Sequence, residues 1–399
     1  MPIYVLFYAK IIIGEAMKDI FKKLDKTLLI LTILFSSLGL VMIFSSSSIA
    51  AVLQYGQTGY YFFSKQAMFI AVGFFLSLII YAIPTKWYKS LSVLGLGIII
   101  LVLIGLKTYG HVTNSARSWF KIAGFSIQPS EFSKTIIILY LATWYGSKKK
   151  FKSIYDTFLP LIPCIVVFFL VASEPDLGTA CIIASICMFI FFTLPFEKNV
   201  AMSAIKIITI GGIIGGIIFL NSNSEFVNKL LTSSQASRFN FKNPCSRYLE
   251  ETGYQVCNGY IAINNGDLLG SGLGKSTQKY LYLPEAHTDF IFPIIVEELG
   301  LIGGCVVLLL YMFLLYRVLV IARNATTLRG SIIAFGTFAY ILTHIIVNIG
   351  GLLALIPLTG VPLPFLSYGG SFILNLFILL ALTQRVAIET KKKKASHVA

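Results

Sequence analysis

Five polar stretches in an otherwise apolar chain carry side chains able to do chemistry. The richest reads Leu283-Pro284-Glu285-Ala286-His287-Thr288-Asp289-Phe290 and stands just before an apolar run of membrane length. A carboxylate where a transmembrane helix begins costs roughly 2.5–3.5 kcal/mol on insertion scales, and such groups are usually retained for function. Glu285, His287 and Asp289 together have the composition of an acid–base site, with Glu297 and Glu298 two turns further on. The bland alternative makes Asp289 a cap or a partner of the helix dipole.

The other four stretches suit binding. Ser115-Ala116-Arg117-Ser118-Trp119-Phe120-Lys121 sets two cations around an amphipathic ring. Arg117 could hold a lipid-linked phosphate while Trp119 stacks on a sugar. An interfacial aromatic belt with snorkelling cations explains the same residues. In Gln128-Pro129-Ser130-Glu131-Phe132-Ser133-Lys134, Pro129 and Ser130 suit a helix start. Glu131 and Lys134, three apart, form either an ion pair or a charged entry for an anionic substrate. Asp176 in Ser173-Glu174-Pro175-Asp176-Leu177-Gly178-Thr179 reads first as a helix cap. Gly360–Ser371, with two prolines and two internal glycines, cannot be regular helix. Its free amides and Ser367 are expected to line a cavity.

The elements that must position these residues are membrane helices. With 56% hydrophobic and 12% charged residues, the chain has too little polar surface for a soluble protein. Apolar runs predict an all-α polytopic membrane protein with ten spans, near 27–44, 67–83, 91–106, 131–146, 157–172, 177–195, 200–220, 290–322, 331–353 and 371–387. Basic residues cluster before the first span, at Lys86 and Lys89, at Lys148–Lys152, at Lys198, between Arg317 and Arg329, and at Arg385 and Lys391–Lys394. That pattern puts both termini in the cytoplasm. The net charge of +15 follows from it, and nucleic-acid binding does not. The expected organisation is a cytoplasmic segment 1–26, of which 1–16 look dispensable, one membrane domain 27–388, and a basic tail 389–399. A long extracytoplasmic loop, 221–288, joins the seventh and eighth spans.

The long outer segments 107–130, 221–288 and 354–370 place the chemistry outside. Gly211, Gly212, Gly215 and Gly216 in the seventh span would allow close helix packing, and Gly300–Gly304 should kink the eighth. Cys164, Cys181, Cys187 and Cys305 read as core residues, whereas Cys245 and Cys257 share the long loop and could pair. No internal repeat, Walker A sequence or metal-spaced histidine pair is evident.

The set SARSWFKIAGFSIQPSEFSK, SEPDLGTA, GSGLGKSTQKYLYLPEAHTDFIFPIIVEELGLIGG and IPLTGVPLPFLSYGGS resembles the SEDS family of shape, elongation, division and sporulation proteins, from about residue 20 to 388. YQVCNGYIAI followed by LGKSTQKYLYLPEAHTDF looks more like its division members than its elongation members. The resemblance implies a glycosyltransferase polymerising lipid II in the bacterial cytoplasmic membrane, with its site extracytoplasmic. Its partners would be a class B penicillin-binding protein, undecaprenyl-linked glycan and other divisome membrane proteins. By position Asp289 matches the family's essential carboxylate. Glu285 and His287 would tune it, Arg117 and Lys134 would hold pyrophosphate, and Trp119 would meet sugar or lipid. Glu131 would pair with Lys134, and Ser367 and Gly369 would line the cavity. No cofactor is implied with certainty; a divalent cation, Mg or Mn, is left open. Glu174 departs from the family's usual Gln before the proline. A lipid II flippase and a non-catalytic scaffold are the competing readings.

Overall fold

The apolar runs fold as helices, and the computed structural model describes residues 18–113, 116–122, 125–147, 153–174, 176–195 and 241–396. In chain order these are α1 Lys26–Leu53, α2 Tyr61–Ala82, α3 Tyr88–Tyr109, α4 Pro129–Tyr145, α5 Ile154–Phe158, α6 Leu161–Ala172 and α7 Leu177–Phe192. After the long loop come α8 Glu251–Gly266, α9 Ile291–Asn324, α10 Leu328–Leu352 and α11 Gly370–Ser396. Among the described residues seven helices are long and apolar enough to cross a membrane, and Leu177–Phe192 is a shorter apolar one. The expected seventh span, with Gly211, Gly212, Gly215 and Gly216, lies outside the described residues, as does the segment 1–16.

Local chemistry sets the helix ends. The Asp25 carboxylate accepts from Leu28 N at 3.0 Å and caps α1, and Pro129 starts α4 where its missing N–H costs nothing. Asp25 also receives the Arg317 guanidinium of α9, while Gln384 of α11 donates to Asp25 O at 3.0 Å and Lys391 to Leu24 O at 2.8 Å. The N- and C-terminal segments thus meet at one end of the bundle. Packing midway along α1 requires a glycine: a Cβ at Gly39 would sit 2.2 Å from the Phe365 carbonyl oxygen.

Two features exceed the helical expectation. The segment expected as an outer loop, 107–130, contains a three-stranded antiparallel sheet in the order β1 His111–Thr113, β2 Ala116–Ile122, β3 Phe125–Ile127. Strands this short lack a sustained apolar alternation, so the sequence pattern does not reveal them. The predicted kink of α9 falls at Gly300, whose φ of 76° is open to glycine without strain. The backbone groups it frees find new partners in the loop after α8. Ser271 N and Gly272 N donate to Glu297 O and Glu298 O at 2.9 and 3.0 Å, and Leu301 N and Ile302 N donate to Asp267 O and Leu268 O at 2.8 and 3.2 Å. The long loop is thereby stitched to the start of α9.

Cys245 and Cys257 form a disulfide that ties the turn Pro244–Arg247 to α8. A cross-link this short removes about 3 kcal/mol of unfolded-state entropy. Both thiols should resist alkylation until reductant is added, and Cys245→Ala with Cys257→Ala should lower the thermal midpoint by several degrees; a mass spectrum with both cysteines alkylated without reduction would contradict the pairing.

Candidate functional site

The loop carrying Asp289 is anchored before it reaches the site. Glu297 accepts from Thr277 N at 3.1 Å, Thr277 Oγ1 at 2.8 Å and Asn265 Nδ2 at 3.2 Å, and from Ser276 Oγ. Glu298 pairs with Lys279 at 2.9 Å and accepts from Ser45 of α1 at 2.6 Å. Both glutamates are buried with their charge fully engaged. They belong to the frame that holds residues 276–279 down, and do not extend the acid–base cluster at Asp289.

Asp289 itself is half-buried at the junction of this loop and α9. The Thr288 hydroxyl lies between two carboxylates, 2.6 Å from Glu285 Oε2 and 3.2 Å from Asp289 Oδ1. Glu285 is exposed and holds a left-handed backbone, φ 54°, which turns the chain at this point. Across from them lies Gly360, whose φ of 71° favours glycine and at which a Cβ would make only ordinary contact, 3.6 Å, with Asp289 Oδ2. His287 is buried, its ring 4.4 Å from Phe62 and 5.9 Å from Tyr368, and its carbonyl accepts from Tyr368 N at 2.8 Å. Burial holds its imidazole below the usual histidine range, against the opposing charge of Glu285. His287 therefore fastens the loop to the broken segment as a neutral ring.

That broken segment, residues 353–369 between α10 and α11, is non-helical as expected. Its polar backbone groups need partners in a low-dielectric site, and side chains from three helices supply several of them. Asn348 Nδ2 donates to Val361 O and to Asp289 O, both at 2.8 Å. His344 bonds Pro362 O at 3.2 Å, and the Tyr311 hydroxyl donates to Pro364 O. Gln66 accepts from Gly369 N at 3.2 Å and donates to Ser367 O at 3.5 Å. Ser367, expected to line the cavity, is fully buried and accepts from Leu363 N at 2.8 Å. It closes a turn and faces no opening. Gly369 remains half-buried at the segment's end. Asn348, His344, Tyr311 and Gln66 were not legible as site residues, since each is one polar side chain within a long apolar run.

Glu131 and Lys134 form the ion pair, at 2.6 Å, with both side chains out of solvent. Lys134 is also 3.4 Å from His344 Nε2. An ammonium only donates, so Nε2 must accept and Nδ1 carries the proton given to Pro362 O. This chain of contacts connects the pair to the broken segment. On the opposite side, Trp119 is half-buried on β2 facing His111 of β1, and Arg117 lies on the same strand. Ser118 Oγ donates to Glu174 O at 3.0 Å, and Asp176 caps α7, accepting from Thr179 N at 3.0 Å and Gln128 Nε2 at 2.8 Å. The capping role of Asp176 is thus the one realised. Glu174 is buried, and among the described residues neither of its carboxylate oxygens has a hydrogen-bond partner. Burial and then the charge of Asp176 push its pKa up to about 8, with Lys107 opposing.

Among the described residues no group of three His, Cys, Asp or Glu side chains is placed to hold a metal ion. Beside Thr288, Glu285 and Asp289 offer two carboxylates.

The fold and site define a polytopic helical membrane protein whose polar site lies between a long loop and a broken helix. Residues 25–392 match the FtsW/RodA/SpoVE family of cell cycle proteins, and the chain belongs to that family, the one its motifs resemble. It is 37% identical over 395 residues to a probable peptidoglycan glycosyltransferase FtsW of Bacillus subtilis, covering 95% of each chain. It is also 37% identical over 355 residues to stage V sporulation protein E of the same organism, covering 87% of this chain and 92% of that one. Among solved structures it shares the fold of a chain from a peptidoglycan synthase complex that coordinates polymerisation and crosslinking, with a TM-score of 0.72 at 22% identity over 92% and 98% of the two chains. It likewise resembles the rod shape determining protein RodA of Thermus thermophilus, with a TM-score of 0.64 at 22% identity over 91% and 96%.

Two outcomes follow from the buried charges. Breaking a buried pair costs about 3–5 kcal/mol because the survivor is left uncompensated. Lys134→Met should therefore cut membrane accumulation sharply, and adding Glu131→Gln should restore part of it; equal accumulation of all three proteins would contradict the pair's structural weight. For Glu174, a folded pKa raised from 4.5 to about 8 means the folded state holds a proton that the unfolded state has lost between those values. Stability should then fall as pH rises through that window and level off above it. Glu174→Gln should flatten this dependence and melt several degrees higher than wild type at pH 8.5, with little difference at pH 5; identical melting curves at both pH values would exclude the burial effect.

Proposed function

We propose that this chain is a peptidoglycan glycosyltransferase that polymerises lipid II into β-1,4-linked glycan on the outer face of the bacterial cytoplasmic membrane. The observation that carries the reading is the setting of Asp289. It is a half-buried carboxylate at the junction of the long loop and α9, whose main chain is fixed by Asn348 and whose side chain lies beside Gly360 of the broken segment. The enzyme names borne by its relatives support the reaction class.

Asp289 acts as general base. It removes the proton from the 4-hydroxyl of the incoming lipid II N-acetylglucosamine as that oxygen attacks C1 of the lipid-linked N-acetylmuramic acid at the growing strand's reducing end. The C1–oxygen bond to pyrophosphate breaks, undecaprenyl pyrophosphate leaves with the electron pair, and the α-linkage inverts to β. One base and a stabilised leaving group are sufficient for this step. Glu285, exposed beside Thr288, and the neutral ring of His287 set the electrostatics and position of the base. Arg117 on β2 supplies cationic charge for pyrophosphate, and Trp119 meets sugar or lipid. Lys134, sealed with Glu131, contributes fixed positive charge from beneath the broken segment.

The basic clusters support cytoplasmic termini, and an extracytoplasmic Asp289, at the far end of the bundle, fits that orientation. Nucleotide sugars and ATP are absent there, so a lipid-linked donor fits the location. The match to a chain of a peptidoglycan synthase complex supports a class B penicillin-binding protein as partner, alongside other division membrane proteins. The division role is supported over elongation by YQVCNGYIAI followed by LGKSTQKYLYLPEAHTDF, and over sporulation by the wider span of the FtsW match, 95% of the chain against 87%. The flippase reading lacks a comparable observation, because the polar site is built at one end of the bundle.

Purified chain with its cognate transpeptidase and lipid II, without nucleotide, should produce glycan strands, and Asp289→Asn should produce none while melting like wild type. Normal polymer from the Asn variant would remove the base assignment; loss confined to lipid translocation in vesicles would favour the flippase.

A further inference from the structure

Asn348 stands out because one side-chain amide serves two separate pieces of backbone. Its Nδ2 lies 2.8 Å from Asp289 O, at the end of the long loop, and 2.8 Å from Val361 O, in the broken segment. Both neighbours are carbonyl acceptors, so the orientation of the amide is fixed: only the NH2 group can satisfy them. The residue is buried at 4% exposure, and among the described residues its Oδ1 has no partner. The two pieces it joins are 72 residues apart in sequence, Asp289 to Val361. Gly360, next to Val361, lies beside the Asp289 carboxylate, where a Cβ would sit 3.6 Å from Oδ2.

We propose that Asn348 is a positioning residue for the base: it fixes the separation between the Asp289 carboxylate and the Gly360–Val361 wall, and so the distance from base to acceptor hydroxyl. This rests on the reading of Asp289 as base. The role requires two N–H donors on a short arm. Leu has nearly the same shape and no donor, Asp has the same shape and presents oxygen to both carbonyls, and Ser keeps one donor. His344, one turn earlier, bonds Pro362 O through one ring nitrogen and faces Lys134 with the other. It anchors the segment without linking it to the base.

A base displaced by a fraction of an ångström to an ångström loses on the order of 10- to 100-fold in rate while substrate still binds. In steady-state polymerisation of lipid II by the chain with its transpeptidase, Asn348→Leu and Asn348→Asp should lower kcat by that factor. The KM for lipid II and co-purification of the transpeptidase should be unchanged, and Asn348→Ser should fall between these variants and wild type. A purely structural residue would instead lower the amount of folded protein without changing kcat per folded molecule. If the Leu and Asp variants do not accumulate, the Ser variant decides alone, with a reduced kcat at constant KM supporting the role. Unchanged kcat in the folded variants, or a loss carried entirely by KM, overturns it. Failure of wild type to polymerise, or activity in Asp289→Asn, would instead strike the base assignment itself, so the two ideas fail separately.

Discussion

A stretch of irregular backbone inside a membrane protein can persist only if its carbonyls and amides are satisfied from the side, and that constraint organises the whole site. The segment before α11 carries prolines and glycines that forbid helix, so the ordinary internal hydrogen bonds are missing. Each exposed group is met by a side chain projecting from a helix that must arrive at the right height: Gln66 from α2, Tyr311 from α9, His344 and Asn348 from α10. Those four requirements fix α2, α9 and α10 around the segment. They also draw in the loop bearing Asp289, because Asn348 and Tyr368 bond to it as well.

The same logic recurs at Gly300. Breaking α9 there releases backbone groups that the loop after α8 satisfies strand-fashion, and Glu297 and Glu298 then bind the next residues of that loop through their side chains. A buried carboxylate is expensive to desolvate, but one accepting several N–H and O–H bonds becomes a strong local organiser. The acidic pair thus serves the site at one remove. It holds the loop so that the carboxylate at its end, Asp289, stays only half-buried and able to meet a substrate hydroxyl.

Much of this was legible in the sequence, for identifiable reasons. Membrane helices announce themselves by apolar length, and the motif at Asp289 is conspicuous because charge is rare in such a chain. The boundaries were less legible. α1 runs on to Leu53, past the four serines at Ser45–Ser48 where hydropathy falls, because Ser45 is occupied by Glu298 and the helix continues beyond it. The small sheet at His111–Ile127 escaped because its outer strands span three residues each and the seven of β2, with Arg117 and Lys121 among them, read as a polar loop. Asn348, His344 and Gln66 escaped for the opposite reason: a single polar residue in an apolar helix looks like tolerated noise until the broken segment it serves is seen beside it. Ser367 was legible as important but with the wrong task, since a hydroxyl in a Pro/Gly-rich segment can as readily close a turn as face a cavity.

The central claim is that Asp289 meets an acceptor hydroxyl in the space bounded by Gly360 and the broken segment. A structure of the chain with its transpeptidase and a non-reacting lipid II analogue tests it most directly. The account predicts the sugar 4-hydroxyl within hydrogen-bond distance of the Asp289 carboxylate, with the pyrophosphate of the second lipid-linked sugar on the β2 side. An analogue bound elsewhere, with the Asp289 carboxylate turned away from every sugar, would contradict it.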